Sequence, residues 1–199
     1  GNIGNISDYA RVDLYFPKKA NGQMIVVCPG GGYSIVSSYN EGVYVAEWML
    51  ERGITVAVVK YRLPNGHCMV PHADVENAFR YCRANALKWG ITQIGVMGFS
   101  AGGHLASTIA THSTGDAAPN FQILFYPVIT MDLGFTHKGS HDNFLGEGHS
   151  KKELRKLETE YSNDLQVNRT TPRAFLALSD DDKAVPAANG FGYYQQLYK

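Results

Sequence analysis

Short apolar runs alternate along this chain with longer stretches in which apolar residues return every three or four positions. Residues 11–16 alternate polar and apolar (Val12, Leu14, Phe16), the pattern of a half-buried strand, and Pro17 stops it. Asn21-Gly22 is a turn signal, so the opening reads as a hairpin-like pair at one sheet edge. Residues 24–28 are continuously apolar, as expected of a strand covered on both faces. A helix is expected over 41–52, with Val45, Trp48 and Met49 inward and Gly53 ending it. A strand over 54–61 follows, then a turn at Pro64-Asn65-Gly66. The next helix places Val75, Ala78, Phe79, Cys82 and Ala86 on one face. Residues 94–99 read as a strand, 101–110 as a helix and 121–126 as a strand.

Periodicity fails over about 128–172, apart from a charged helix-like patch at 150–160. This stretch is expected to be an insertion over the sheet edge, a lid or substrate wall. A strand over 173–178 and a helix from about Ala187 complete the chain. Strands alternating with helices imply one α/β domain over 1–199, with a mostly parallel sheet, flanking helices and an active site at the carboxyl ends of the strands. Neither repeats nor linkers divide it.

Composition narrows the classes of function. Of 199 residues, 44% are hydrophobic and 18% charged, an ordinary globular balance. Eighteen basic residues offset eighteen acidic ones, so no global field recruits nucleic acid or an anionic membrane. No apolar run reaches membrane-span length, and no signal-peptide pattern stands in these residues. The sequence opens on Gly1, which leaves the compartment open, and a homo-oligomer is equally open. Twelve tyrosines suit a carbohydrate- or aryl-facing surface and suit packing equally well. Cys28, Cys68 and Cys82 form no disulfide framework, and Cys28 and Cys82 read as small buried hydrophobes. No Cys/His spacing resembles a zinc site, so neither metal nor cofactor is expected.

The chemistry concentrates at Gly98-Phe99-Ser100-Ala101-Gly102, a Gly-x-Ser-x-Gly pattern with an apolar strand before it and a small-residue helix after it. That context makes the pattern a nucleophile elbow rather than a glycine-rich turn, with strained backbone at the serine and glycines where strand and helix pass closely. Gly30-Gly31-Gly32 ends the strand at 24–28. Its bare N–H groups suit the second half of an oxyanion hole, the first half being the N–H of Ala101. A phosphate loop or a plain turn is the alternative, but Tyr33-Ser34 is not the Lys-Ser/Thr that a phosphate loop needs.

A serine nucleophile requires a base, and the base an orienting carboxylate, in the order Ser, Asp/Glu, His for this kind of sheet. Ser179-Asp180-Asp181-Asp182 ends the last strand; it is either a solvated turn or the source of that carboxylate. The apolar Val185-Pro186 step, anchoring the loop, favours Asp182. No histidine follows Asp182. His104, one helical turn past Ser100, reads as a brace, and His67 and His72 as local turn or helix-start residues. His137, His141 and His149 read as surface residues of the insertion that are able to swing inward.

Taken together, Pro29-Gly30-Gly31-Gly32-Tyr33, Tyr61-Arg62-Leu63, the segment 95–106, Tyr126-Pro127-Val128 and Asp182-x-x-Val185-Pro186 resemble the α/β-hydrolase esterase/lipase family. The similarity is to bacterial acetylesterase and xylan-esterase-like members and spans about 11–199. The resemblance implies Ser100 as nucleophile, Asp182 as triad acid, and Gly31, Gly32 and Ala101 as the oxyanion region. It implies hydrolysis of short acyl esters, acetyl above all, on a small-molecule or carbohydrate substrate such as xylan. His104 matches a structural position of the family. Two departures stand out. Leu178-Ser179 replaces a common His-Gly, and relatives continue into one more strand, a Gly-His-Gly-type loop bearing the catalytic histidine, and a closing helix. The resemblance therefore implies an α/β-hydrolase fold apparently lacking its last strand and helix, with a shortened C-terminus. A same-fold peptidase, or a non-catalytic binding protein on a hydrolase scaffold, is the alternative function.

Overall fold

The computed structural model describes residues 9–199. Its centre is a six-stranded sheet in the order β1-β3-β2-β4-β5-β6, formed by β1 (Arg11–Tyr15), β2 (Gln23–Cys28), β3 (Thr55–Lys60), β4 (Gln93–Phe99), β5 (Gln122–Phe125) and β6 (Ala174–Ala177). All pairings are parallel except that of β1, which runs antiparallel to β3 at the sheet edge. The first two strands do not form the expected hairpin. Asn21-Gly22 does turn the chain, but β2 has both edges taken by β3 and β4, so β1 lies one strand further out.

Alternate residues of the buried strands face opposite layers. Met24, Val26 and Cys28 share a core with α2 (Met69–Trp89) and α3 (Ala101–His112) through Val75, Phe79, Cys82, Leu105 and Ile109. Ile25, Val27, Met97 and Phe99 face the other side, covered in part by α1 (Tyr44–Leu50) through Ala46 and Met49. A groove of about 340 Å³ lined by Tyr44, Trp48, Phe99 and Phe125 lies open on that side. Helix α1 is preceded by a π-helical turn, Tyr39–Val43. Trp48, expected inward, is 53% exposed with the Arg52 guanidinium 3.4 Å over its ring.

The stretch 128–172 holds α4 (Lys138–Leu145), which the sequence pattern did not reveal, and α5 (Lys151–Glu160), capped at Ser150 by a full capping box. Val128, Ile129, Met131, Phe144 and Tyr161 from this stretch are buried in the main core. Asn163 donates to Ser107 Oγ at 2.7 Å and Thr108 Oγ1 at 3.0 Å, satisfying polar groups of α3, which is buried from Ala101 to Thr111. Helix α6 (Ala188–Tyr198) closes the described chain, and Asn189 at its start accepts from the N–H groups of Ile129 and Thr130. No described helix is long and apolar enough to cross a membrane.

Candidate active site

Ser100 stands between the end of β4 and the start of α3, at φ 54° and ψ −120°. L-residues seldom adopt a positive φ, and the strain is of order 1–3 kcal/mol. Neighbours hold it in place. Its N–H donates to the Phe125 carbonyl at 3.1 Å, and its own carbonyl accepts from His104 at 3.2 Å and Val128 at 3.0 Å. The side chain itself is only half-buried. Close packing explains the flanking glycines. A Cβ on Gly98 would lie 2.2 Å from the Gly102 carbonyl oxygen, as the approach of strand and helix requires. A Cβ on Gly102 would lie 2.1 Å from the Cys28 carbonyl, so its constraint comes from the end of β2.

The glycine loop arrives from that same strand end, and a Cβ on Gly30 would be 3.2 Å from the Ser100 Cβ. Each carbonyl of the loop is drawn to a partner. The Tyr61 hydroxyl donates to Pro29 O at 2.5 Å and Ser37 N–H to Gly30 O at 2.9 Å. Ser34 N–H donates to Gly31 O at 3.0 Å, and Asn143 of α4 to Gly32 O at 2.9 Å. The Gly30 N–H is taken by Glu41 Oε1 at 3.1 Å. By contrast, the N–H groups of Gly31 and Gly32 donate to no acceptor among the described residues. With the carbonyls engaged, these N–H groups, like the first N–H groups of α3, are left free to donate.

Tyr33 ends the loop at φ 59°. Its hydroxyl reaches His104 Nδ1 at 2.8 Å, while His104 Nε2 reaches the Tyr161 carbonyl at 2.7 Å. Both ring nitrogens are thus engaged in the neutral form, and burial pushes the imidazole down to about 4. His104 is a brace, as its position suggested. His67 sits in the turn before α2 and His72 in the first turn of that helix.

The remaining histidines divide. His137 caps α4, accepting the Ser140 N–H through Nδ1 at 3.2 Å, and its Cε1 lies 3.6 Å from where a Cβ on Gly32 would stand. His149 is exposed, with Nε2 against the Leu145 carbonyl at 2.7 Å. His141 corrects the surface reading: it is 4% exposed, wedged between Asp142 and Glu158 at 2.8 Å each, and ties α4 to α5.

Asp182 lies in the loop after β6, two strands over from β4. Its Oδ1 accepts the N–H groups of Ala184 and Val185, both at 2.9 Å, and Val185 is buried beneath the loop. No described histidine hydrogen-bonds it. Between Asp182 and Ser100 stands Tyr126, just past β5, whose hydroxyl donates to Glu41 Oε2 at 2.7 Å. Burial first, then the Glu41 contact and the charge of Asp182, hold this phenol well above its ordinary range. No cluster of metal-ligand side chains occurs among the described residues. Glu41 and Asn143 stand at the candidate site without any mark in the sequence pattern, and Tyr126, though part of the Tyr126-Pro127-Val128 motif, carried no role there.

A family model, BD-FAE, matches residues 12–124. The chain is 44% identical over 200 aligned positions to an acetylxylan esterase of Xylanibacter ruminicola, covering 97% of this chain and 41% of that protein. It is 32% identical over 190 positions to endo-1,4-beta-xylanase B of Butyrivibrio fibrisolvens, covering 87% of this chain and 29% of that one. The chain thus spans less than half the length of either relative. Among solved structures, the acetyl ester-xyloside bifunctional hydrolase of Caldicellulosiruptor lactoaceticus superposes with a TM-score of 0.85 at 32% identity, covering 96% of this chain and 74% of that one.

Proposed function

The chain belongs to the BD-FAE family, on an α/β-hydrolase sheet, and from that premise we propose that it is a serine carboxylesterase that removes short acyl groups, acetyl above all, from carbohydrate such as xylan. The observation that carries the reading is Ser100, held at positive φ at the end of β4 and bordered by Gly30 of a loop in which the N–H groups of Gly31 and Gly32 are unengaged. Ser100 Oγ attacks the ester carbonyl carbon while an imidazole base takes its proton; the family resemblance puts that base on a Gly-His-Gly-type loop, and no described histidine meets Asp182 to serve as it. The carbonyl oxygen becomes an oxyanion, received by the N–H groups of Gly31, Gly32 and Ala101. Collapse expels the sugar hydroxyl with that proton and leaves an acyl-serine, which water then cleaves by the same steps. Asp182 orients the base. The stretch 128–172 serves as a lid-like wall within a single domain, and the bond from Asn143 to Gly32 O supports that role. The identity of the sugar side rests on the xylan-acting relatives.

The test is labelling by a fluorophosphonate in the full-length protein, together with hydrolysis of 4-nitrophenyl acetate and of acetylated xylan. Labelling is expected at Ser100 and is expected to vanish in Ser100→Ala. Label retained after that substitution, or wild-type protein that hydrolyses neither ester, overturns the reading.

A further inference from the structure

Glu41 lies in the π-helical turn at φ −111° and ψ 21°, outside the helical region. Gly42 beside it sits so close to β3 that a Cβ would be 2.9 Å from Val58 Cγ1, which seats the turn on the sheet. From this anchored start the carboxylate reaches two ways. Oε1 accepts the Gly30 N–H at 3.1 Å and Oε2 accepts the Tyr126 hydroxyl at 2.7 Å. Gly30 borders Ser100, and Tyr126, itself at φ 36°, is fixed by its N–H to the Ala177 carbonyl at 2.8 Å. One side chain therefore links the loop after β2 to the residue after β5, across the end of β4 that carries Ser100.

We propose that Glu41 is a positioning residue for the oxyanion donors, an inference that rests on the serine-esterase reading above. Holding the Gly30 N–H stops the first peptide of the loop from rotating. The next two N–H groups, those of Gly31 and Gly32, then keep their aim at the place where negative charge develops. A free carboxylate so near would oppose that charge, but both oxygens of Glu41 accept hydrogen bonds, which disperses it. The raised pKa of Tyr126 keeps its hydroxyl a donor to Glu41 throughout the neutral range.

The experiment compares Glu41→Ala, Glu41→Gln and Tyr126→Phe in the full-length protein. Misaimed donors cost less than a donor removed outright, so Glu41→Ala should lower kcat for 4-nitrophenyl acetate by about 10-fold or more. KM should change by less than about twofold, because the donors act mainly in the transition state. A trifluoromethyl ketone, which forms a tetrahedral adduct with the serine, should bind more weakly by the same factor as kcat/KM. Glu41→Gln keeps an acceptor for the Gly30 N–H and should recover most of the activity, and Tyr126→Phe should fall between. Amide exchange in a peptide covering residues 29–38 should speed up in Glu41→Ala alone. That readout needs no turnover: a wild type without esterase activity overturns the proposed function, while exchange still decides whether Glu41 holds the loop. Unchanged exchange in Glu41→Ala, a Gln variant as poor as the Ala variant, or a loss of rate that only follows a fall in Tm overturns the inference.

Discussion

Replacing His104 tests how the site is braced from below. The imidazole is fully buried, accepts from Tyr33 at Nδ1 and donates to the Tyr161 carbonyl at Nε2. Alanine there strands a Tyr33 hydroxyl and a Tyr161 carbonyl away from water, at about 1–3 kcal/mol each. Adding the cavity, the expected loss is at least about 3 kcal/mol. A pH component accompanies it. Burial pushes the folded pKa of His104 from 6.5 down to about 4. Between those values the unfolded chain takes up a proton that the folded chain refuses. Stability from this group is therefore complete above pH 6.5 and drains as pH falls toward 4, by up to roughly 3 kcal/mol. His72, whose pKa burial also lowers, adds a change of the same sign. The assay is urea unfolding followed by circular dichroism at pH 7.5 and 5.0 for the wild type, His104→Ala and His104→Gln. Glutamine keeps a donor and an acceptor but does not titrate, so it should blunt the pH dependence even if the alanine variant fails to fold. A loss under about 1 kcal/mol in His104→Ala at pH 7.5, or a His104→Gln curve with the wild-type pH dependence, refutes the reasoning.

Two further outcomes are expected. Gly31→Ala brings a Cβ to 2.2 Å from the Ile35 carbonyl at φ +135°, whereas Gly32→Ala meets nothing nearer than His137 Cε1 at 3.6 Å and carries only the strain of φ +63°. Steady-state kinetics should therefore show kcat reduced on the order of 10²-fold in the first and far less in the second; equal effects would refute this account of the loop. Asp182→Asn keeps the acceptor for Ala184 and Val185, so Tm should hold while kcat falls by roughly 10⁴-fold, and full activity would remove Asp182 from the triad.

Much of the sheet was legible because strands covered on both faces must be continuously apolar, as Met24 to Cys28 is. Its pairing was less so. Asn21-Gly22 announces a reversal, but a local turn signal does not say which edge of a strand is already taken. Helix α4 is hidden in the sequence because its cap is His137 rather than Ser, Thr, Asp or Asn, and its buried apolar pair, Phe144 and Leu145, lies at its far end. Trp48 faces outward because the π-helical turn before α1, with Gly42 pressed on Val58, sets the phase of the helix. In the site, Ser100 and the glycine loop were readable as contiguous motifs. The contacts of Glu41 and Asn143 were not, nor was a role for Tyr126 beyond its place in a motif, since Tyr126 meets Glu41 across 85 positions and Asn143 meets Gly32 across 111.

That difference has a physical consequence for how the site tolerates strain. Tyr33, Ser100 and Tyr126 all carry positive φ; Ser100 and Tyr126 directly follow β4 and β5, and Tyr33 closes the loop that leaves β2. A turn alone would relax such angles, because each costs of order 1–3 kcal/mol. Here each is held by a partner from another element: Tyr33 by His104, Ser100 by Phe125 and Val128, and Tyr126 by Ala177 and Glu41. The loop bearing Gly31 and Gly32 is consequently held at both ends, at Gly30 by Glu41 and at Tyr33 by His104, with Asn143 gripping the Gly32 carbonyl between. On the proposed reading, the motif residues supply the donors and the nucleophile. Their aim comes from side chains remote in sequence, so a change at Glu41 or His104 should reach the same two N–H groups from opposite ends.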